Sequence, residues 1–250
     1  MKKLTSILLV VVMMLALAAC GGEPASNAMV TIYVPDTVTV YQGDGSVFAA
    51  VTYNFEEGWE NKESFTVTMG GDVDKMGGSG TTVFSDKKTV QEVSNGAVAE
   101  SYYDAQGNTT KMINRYADGG RREVTYTYDD KGRTVSEEIK MYETADAEPQ
   151  VTTQTYVYTE TETGSTCTME TGYATYVMEY DKNGRQVSQI VYRNGKEQSR
   201  TEVTYDAAGN MLGQANYSGE QKGMEMKYTW KTVQVSEEMA ARLPQMKRAK

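Results

Sequence analysis

The reactive side chains of this chain are carboxylates and thiols. It carries 34 Asp and Glu and two cysteines, Cys20 and Cys167, but no histidine, so neither a His-dependent triad nor a His-ligated metal can be assembled from it. Paired carboxylates would suit glycoside hydrolysis, which needs two acids at a set separation. Cys167 would be a nucleophile only beside a base or a positive charge. Its neighbours Ser165, Thr166 and Thr168 supply neither, and it reads as a small strand residue that behaves as a buried apolar group. Asp72 and Asp74 lie in a glycine-rich stretch, Gly70 to Gly80 (GGDVDKMGGSG). Its spacing fits neither an EF-hand nor a P-loop, and a mobile hairpin tip is expected there. No catalytic, metal-binding or cofactor-binding residue is assigned, and no cofactor is expected.

The elements that position these groups begin with a targeting segment. Lys2 and Lys3, the apolar run Ile7 to Ala19 and the small residues before Cys20 have the anatomy of a secretory signal. The uncharged stretch Leu4 to Ala19 is 16 residues, short of the roughly 20 that a spanning helix needs. Leu17-Ala18-Ala19-Cys20 resembles the bacterial lipobox, and this resemblance implies cleavage after residue 19 and a diacylglyceryl group on Cys20. Residues 1–19 are thus expected to be signal peptide, and residues 20–29 (CGGEPASNAM) a flexible tether from the lipidated cysteine. Loss of Lys2 and Lys3 takes the formal net charge from −9 to −11. With Cys20 acylated, Cys167 has no partner in its own chain, so the fold must be held by packing.

Residues 30–235 carry a repeat. Tyr103-Asp104-Ala105-Gln106-Gly107-Asn108, Tyr128-Asp129-Asp130-Lys131-Gly132-Arg133, Tyr180-Asp181-Lys182-Asn183-Gly184-Arg185 and Tyr205-Asp206-Ala207-Ala208-Gly209-Asn210 are its strict copies. Looser copies start at Tyr41, Tyr53, Tyr116, Tyr192 and Tyr217. From Tyr41 to Tyr53, from Tyr103 through Tyr116 to Tyr128, and from Tyr180 through Tyr192 and Tyr205 to Tyr217, the copies follow at a period of about 12 residues, which is one strand plus one hairpin turn. The Asp can close an Asx-turn, and the Gly supplies the positive φ that a short hairpin loop requires. Between turns the pattern alternates: Val124, Tyr126 and Tyr128 against Glu123, Thr125 and Thr127, Met224 to Trp230 against Glu225 to Lys231, and Ile190 and Tyr192 against Gln189. Each strand therefore has one aromatic-aliphatic face and one charged or Thr-rich face. Residues 143–150 (ETADAEPQ) and 159–165 (TETETGS) read as longer acidic loops. Ser236-Glu237-Glu238 followed by Met239 and Leu243 predicts a capped short helix, which with a basic tail (Lys247, Arg248, Lys250) occupies residues 236–250.

The strict motif, Y-D-x-x-G-[NR], resembles the YD repeat of Rhs-type bacterial surface and toxin-delivery proteins, over residues 100–220 in its strict form. The resemblance implies a curved β-sheet shell and a membership among small secreted YD-repeat lipoproteins, without the toxin domain or the long array.

The expected fold is all-β: an antiparallel meander of repeated hairpins forming a large curved or rolled sheet, with a Tyr/Val/Met-lined interior and a short C-terminal helix. Three functions are weighed. A non-enzymatic binding or scaffold lipoprotein on the cell surface is favoured, because repeat proteins offer surfaces rather than reaction centres and Tyr is a preferred contact residue. A carrier or sensor of a small apolar ligand inside the sheet comes second, and a hydrolase third. The expected partners are the membrane, through the lipid on Cys20, and a surface protein or glycan. An acidic chain is a poor ligand for nucleic acid, and none is expected. The expected location is extracytoplasmic, on the outer face of the cytoplasmic membrane of a single-membrane bacterium or, in a two-membrane cell, the outer membrane.

Overall fold

Alternating faces and a turn signal after each strand leave the chain one economical arrangement, in which each strand pairs with the next. In the computed structural model, which describes residues 28–76, 78–93 and 96–246, seventeen strands do this at every step but one, β10 to β11. They are β1 (Met29–Tyr41), β2 (Val47–Phe55), β3 (Phe65–Gly71), β4 (Gly78–Ser85), β5 (Lys88–Val93) and β6 (Ala97–Tyr103). Then come β7 (Thr109–Arg115), β8 (Arg121–Tyr128), β9 (Thr134–Tyr142), β10 (Gln150–Thr155), β11 (Val157–Thr161) and β12 (Gly164–Glu170). The last are β13 (Thr175–Asp181), β14 (Gln186–Arg193), β15 (Lys196–Tyr205), β16 (Met211–Ser218) and β17 (Gln221–Ser236), followed by the helix α1 (Glu237–Arg242). Cys20, the signal segment and the basic tail from Lys247 onward lie outside the described residues.

The sheet rolls up because its first and last strands meet. β1 pairs antiparallel with β2 on one side and with β17 on the other, so the ladder runs round as a ring with one seam. At the seam a single extended run splits its pairing. β10 pairs with β9 and β11 with β12, and Tyr156 between them donates its N–H to the Val135 carbonyl at 3.0 Å. Closure removes most of the unpaired edge that an open sheet would expose. Residues 159–165, expected to be a loop, are instead the end of β11, a two-residue turn and the start of β12. Their Thr/Glu alternation has the period of a strand, and β11 and β12 pair with each other while β12 also pairs with β13.

An antiparallel meander sends alternate turns to opposite ends. The turns after β2, β4, β6, β8, β11, β13 and β15 share one end with Met29 and α1, here called proximal. All four strict motifs are there, the two members of each pair separated by two periods, whereas the loose copies at Tyr41, Tyr116, Tyr192 and Tyr217 sit at the distal end. The true repeat is thus a hairpin of two strands.

The inner face carries the core in separate patches. Val38, Val40, Ala49, Val51, Met226 and Tyr228 form one patch, and Met112, Val124 and Ile139 another. A third fills the proximal end, and it depends on a bulge between Pro35 and Thr37. On the distal side of that bulge β17 buries Met226 and Tyr228; beyond Lys231 and Thr232 it buries Val235 instead. The β1–β17 ribbon therefore turns over and lays Ile32, Val34 and Val235 against Phe65, Val67 and Trp59. Ser236 caps α1 by accepting from the Met239 N–H at 3.1 Å, and Met239 and Leu243 complete the patch. Two ties fix the helix to the proximal turns: Lys87 N–H donates to the Arg242 carbonyl at 3.0 Å, and the Arg242 guanidinium donates to the Glu63 carbonyl.

Inner and outer faces can be followed from strand to strand, since directly opposed residues share a side. Cys167 opposes Met178, Met178 opposes Gln189, and Gln189 opposes Thr201. Gln189 therefore lines the interior, whereas Ile190, opposed by Val177 and Arg200, lies outside, the reverse of the expected orientation of β14. Bulges between Glu179 and Tyr180 and between Val191 and Tyr192 decouple this strand from the faces of its turns.

Candidate functional site

The four strict turns are built alike. One carboxylate oxygen of Asp104, Asp129, Asp181 and Asp206 accepts the backbone N–H four residues on, at 2.8, 2.8, 2.9 and 2.7 Å. The other oxygen accepts from the side chain of that same residue: Asn108 Nδ2 and Asn210 Nδ2 at 2.9 Å, Arg133 Nε and Arg185 Nε at 2.7 Å. This second bond explains why Asn or Arg follows the glycine, a role the sequence reading did not assign. Gly107, Gly132, Gly184 and Gly209 have φ of +89°, +75°, +72° and +84°. For Asp129, Asp181 and Asp206 partial burial raises the carboxyl pKa, but the bonds from Arg133, Arg185 and Asn210 outweigh it and hold each below the ordinary value. These carboxylates are occupied in holding turns.

The motif tyrosines point inward. Tyr128 and Tyr205 donate their hydroxyls to the carbonyls of Thr109 and Gln186 at 2.7 and 2.8 Å. Trp230, as far beyond Tyr205 as Tyr205 is beyond Tyr180, donates Nε1 to the Met211 carbonyl at 2.7 Å. Each bond reaches back 19 residues. Trp230 thus fills the tyrosine position of a further repeat. Across the seam a denser group gathers. Tyr156 donates to Glu137 Oε1 at 2.7 Å, Tyr126 bonds Met112 Sδ at 3.1 Å, and Tyr158, directly opposite Cys167, packs on Tyr180 with ring centroids 5.9 Å apart. The Arg133 guanidinium stacks over Tyr158 at 4.3 Å.

Burial governs the ionisation of this wall. Desolvation pushes Tyr128, Tyr180 and Tyr205 up to about 12 and Tyr126, Tyr156 and Tyr158 higher still, with Glu137 adding to the effect on Tyr126 and Tyr156. Cys167 is fully buried, and its burial raises the thiol, so it is a neutral packing group. The alkaline consequence has a definite sign. The unfolded chain releases tyrosine protons near pH 10, earlier than the folded chain, so the stability these tyrosines contribute is intact below pH 10 and lost as pH rises from about 10 to 12. In a spectrophotometric titration of the 18 tyrosines, the exposed ones should ionise near pH 10 with the fold intact. The inner ones should follow in a steep step coincident with loss of near-UV circular dichroism. A single smooth titration of all tyrosines with no structural change would refute the buried wall.

The distal end is different. Tyrosines here sit beside cations: on the outer face Tyr142 under Arg121 at 4.0 Å, Tyr41 under Lys227 at 4.9 Å and Tyr217 under Arg200 at 5.1 Å, and in the turn after β12 Tyr173 under Arg193 at 5.9 Å. Tyr116 and Tyr173 are 40% and 71% exposed. Below this rim the outer face is charged. Lys111–Glu123, Lys88–Glu100, Lys140–Glu138 and Arg200–Glu202 pair at 2.9, 3.3, 2.8 and 3.3 Å. A membrane-spanning barrel has an apolar outer band, and each Lys or Arg at its midplane costs about 2–4 kcal/mol. This ring is therefore built to stand in water. In the glycine-rich stretch, Asp72 Oδ2 accepts from the Ala50 N–H at 3.1 Å and the carboxylate pairs with Lys75 at 2.9 Å. Among the described residues no three His, Cys, Asp or Glu side chains converge as metal ligands.

Neither a family model nor a curated protein matches this sequence. Several solved structures are similar to it. A porin-like protein from Bacteroides uniformis is 11% identical with a TM-score of 0.44, over 79% of this chain and 98% of its own. A protein with a YmcC-like fold from Bacteroides fragilis is 11% identical with a TM-score of 0.27, over 80% and 99%. A DUF1329 family protein from Desulfovibrio piger is 10% identical with a TM-score of 0.30, over 83% and 85%. All three TM-scores are below 0.5, and no residue role is carried over from them.

Proposed function

We propose that this protein is a lipid-anchored, extracytoplasmic and non-enzymatic binding module that presents its distal rim to a partner on the cell surface. The observation that carries this reading is the segregation of its two ends. The folded part begins at Met29, on the proximal end. If Cys20 bears the lipid, the eight residues Gly21 to Ala28 reach at most about 28 Å, so the proximal end with its plug and strict turns stays near the bilayer. The distal tyrosines, with Tyr116 and Tyr173 the most exposed, then lie at the end far from it. Tyrosine beside Arg at a solvated rim is a favoured composition for recognition of protein or glycan surfaces. The acidic loop 143–149 lies at the same end.

The test uses the full chain in its native host. Labelled palmitate should enter the parent protein, and Cys20→Ser should remove the label and move the protein from the membrane to the soluble fraction. The mature chain made with Cys20→Ser should then bind isolated cell envelopes saturably, and Tyr116→Ala with Tyr173→Ala should remove most of that binding while the melting temperature stays unchanged. Label retained on Cys20→Ser overturns the anchor. Equal envelope binding by the rim variant overturns the rim.

A further inference from the structure

We infer that the inner wall near the distal mouth holds a binding site for an organic carboxylate, formed by Asn114 and Arg122. The two residues are opposed across β7 and β8, which sets their Cβ atoms about 5 Å apart. They share the inner face with Met112 and Val124, two residues further along the same strands. Asn114 is 6% exposed, and its Nδ2 is buried without a hydrogen-bond acceptor. Arg122 Nη1 is likewise buried without an acceptor. Arg122 also makes no ion pair among the described residues, whereas its neighbour Arg121 pairs with Glu123 on the outer face at 2.8 Å.

Two adjacent buried donors without an acceptor are costly, and the charged one is the costlier. The Arg122 guanidinium is donor-only and charged, and the Asn114 amide can present its nitrogen beside it, so the group that satisfies the pair is an acceptor and the guanidinium calls for an anion. A carboxylate meets both demands, because its two oxygens can take Arg122 and Asn114 together. The flanking surface selects what the carboxylate is attached to. On the other side of Arg122 the opposed residue is Met141, 40% exposed, and next to Met141 on β10 is Gln150, also exposed. Tyr126 lies two strand steps below Arg122, on the same face and half-buried. The ligand would thus enter from the distal mouth with its apolar body on Met141 and Tyr126. Tyr116 lies two residues beyond Asn114, so the two readings are told apart by their readouts: octanoate affinity and Arg122→Gln test this site, and envelope binding with Tyr173→Ala tests the rim.

Octanoate is the probe, with octanol and inorganic phosphate as comparisons, titrated calorimetrically into the mature Cys20→Ser protein at constant ionic strength and below the aggregation concentration of octanoate. Octanoate should bind saturably at one site, more tightly than octanol or phosphate. Arg122→Gln should weaken octanoate about tenfold or more, as loss of a charged hydrogen bond does, and leave octanol unchanged. It should also hold or raise the melting temperature, because it removes a charged group whose Nη1 is buried without a partner. Arg122→Lys, which keeps the charge but not the fork, should fall between parent and Arg122→Gln. Equal affinity of parent and Arg122→Gln for octanoate overturns the site. If Arg122→Gln does not fold, the parent alone decides: no preference for octanoate over octanol overturns the anion requirement, and phosphate binding as tightly as octanoate overturns the apolar selection.

Discussion

Phe65→Ala is expected to destabilise the fold by about 3–5 kcal/mol, the range for truncating a fully buried aromatic residue. Phe65 is 2% exposed and stands between three aromatic rings: Phe84 stacks on it at 5.1 Å, Trp59 leans on it at 4.8 Å and Phe55 lies at 6.3 Å. It also meets the overturned β1–β17 ribbon and Leu243, so its ring joins segments from both ends of the chain. A cavity there cannot be filled by a shift of one strand, since three rigid elements surround it. The change should appear as a lower midpoint in urea with the slope unchanged. A loss under about 1 kcal/mol would mean that the proximal plug contributes little to stability.

The second large effect is a contrast between equivalent glycines. Gly107 and Gly132 hold the same motif position, with φ of +89° and +75°, and an alanine at either costs about 1–2 kcal/mol for the left-handed backbone alone. A Cβ on Gly132 would meet nothing nearer than Asn108 Oδ1 at 3.9 Å, whereas one on Gly107 would lie 2.5 Å from the Pro244 carbonyl oxygen. Gly107→Ala is therefore expected to lose the backbone cost and also to lift the segment after α1 off the β6–β7 turn. Limited proteolysis should cleave the Gly107→Ala chain beyond Arg242 well before it cleaves parent or Gly132→Ala. Equal losses of stability and equal cleavage in the two variants would show that the C-terminal segment is not docked on that turn.

Much of this architecture was legible before any coordinates. Val124, Tyr126 and Tyr128 against Glu123, Thr125 and Thr127 identified β8 and its buried face, because a side-chain period of 2 is a local property of the strand. The Asp and Gly of each strict motif identified the turns, since an Asx bond and a positive φ are satisfied within six residues. The helix after Ser236 was readable for the same reason. Two further signals lie in the sequence. The alternation of β8 extends back to Arg122, a charge on the aromatic face. The strict motifs recur only at every second turn, Tyr103 then Tyr128 and Tyr180 then Tyr205, which places them at one end.

What escaped the sequence depended on partners far along the chain. Gln189 and Ile190 lie on the sides opposite to those their pattern suggests, because bulges in the β13–β14 and β14–β15 pairings break the parity that a single strand displays. Residues 159–165 form strand and turn because β11 and β12 pair with each other there and β12 pairs with β13, although their composition is that of a solvated loop. The residues by themselves determined the all-β class, the turn chemistry and the amphipathic strands, since each follows from interactions within a few residues. The tertiary structure alone decided that the sheet closes, through pairs such as Thr37 and Thr229, 192 residues apart. It also decided that the β1–β17 ribbon turns over to plug the proximal end, and that Asn114 and Arg122 are left facing inward without an acceptor. Local patterns fix which face of a strand is apolar; which strands meet, and what each buried group finds there, is fixed only when distant segments pack together.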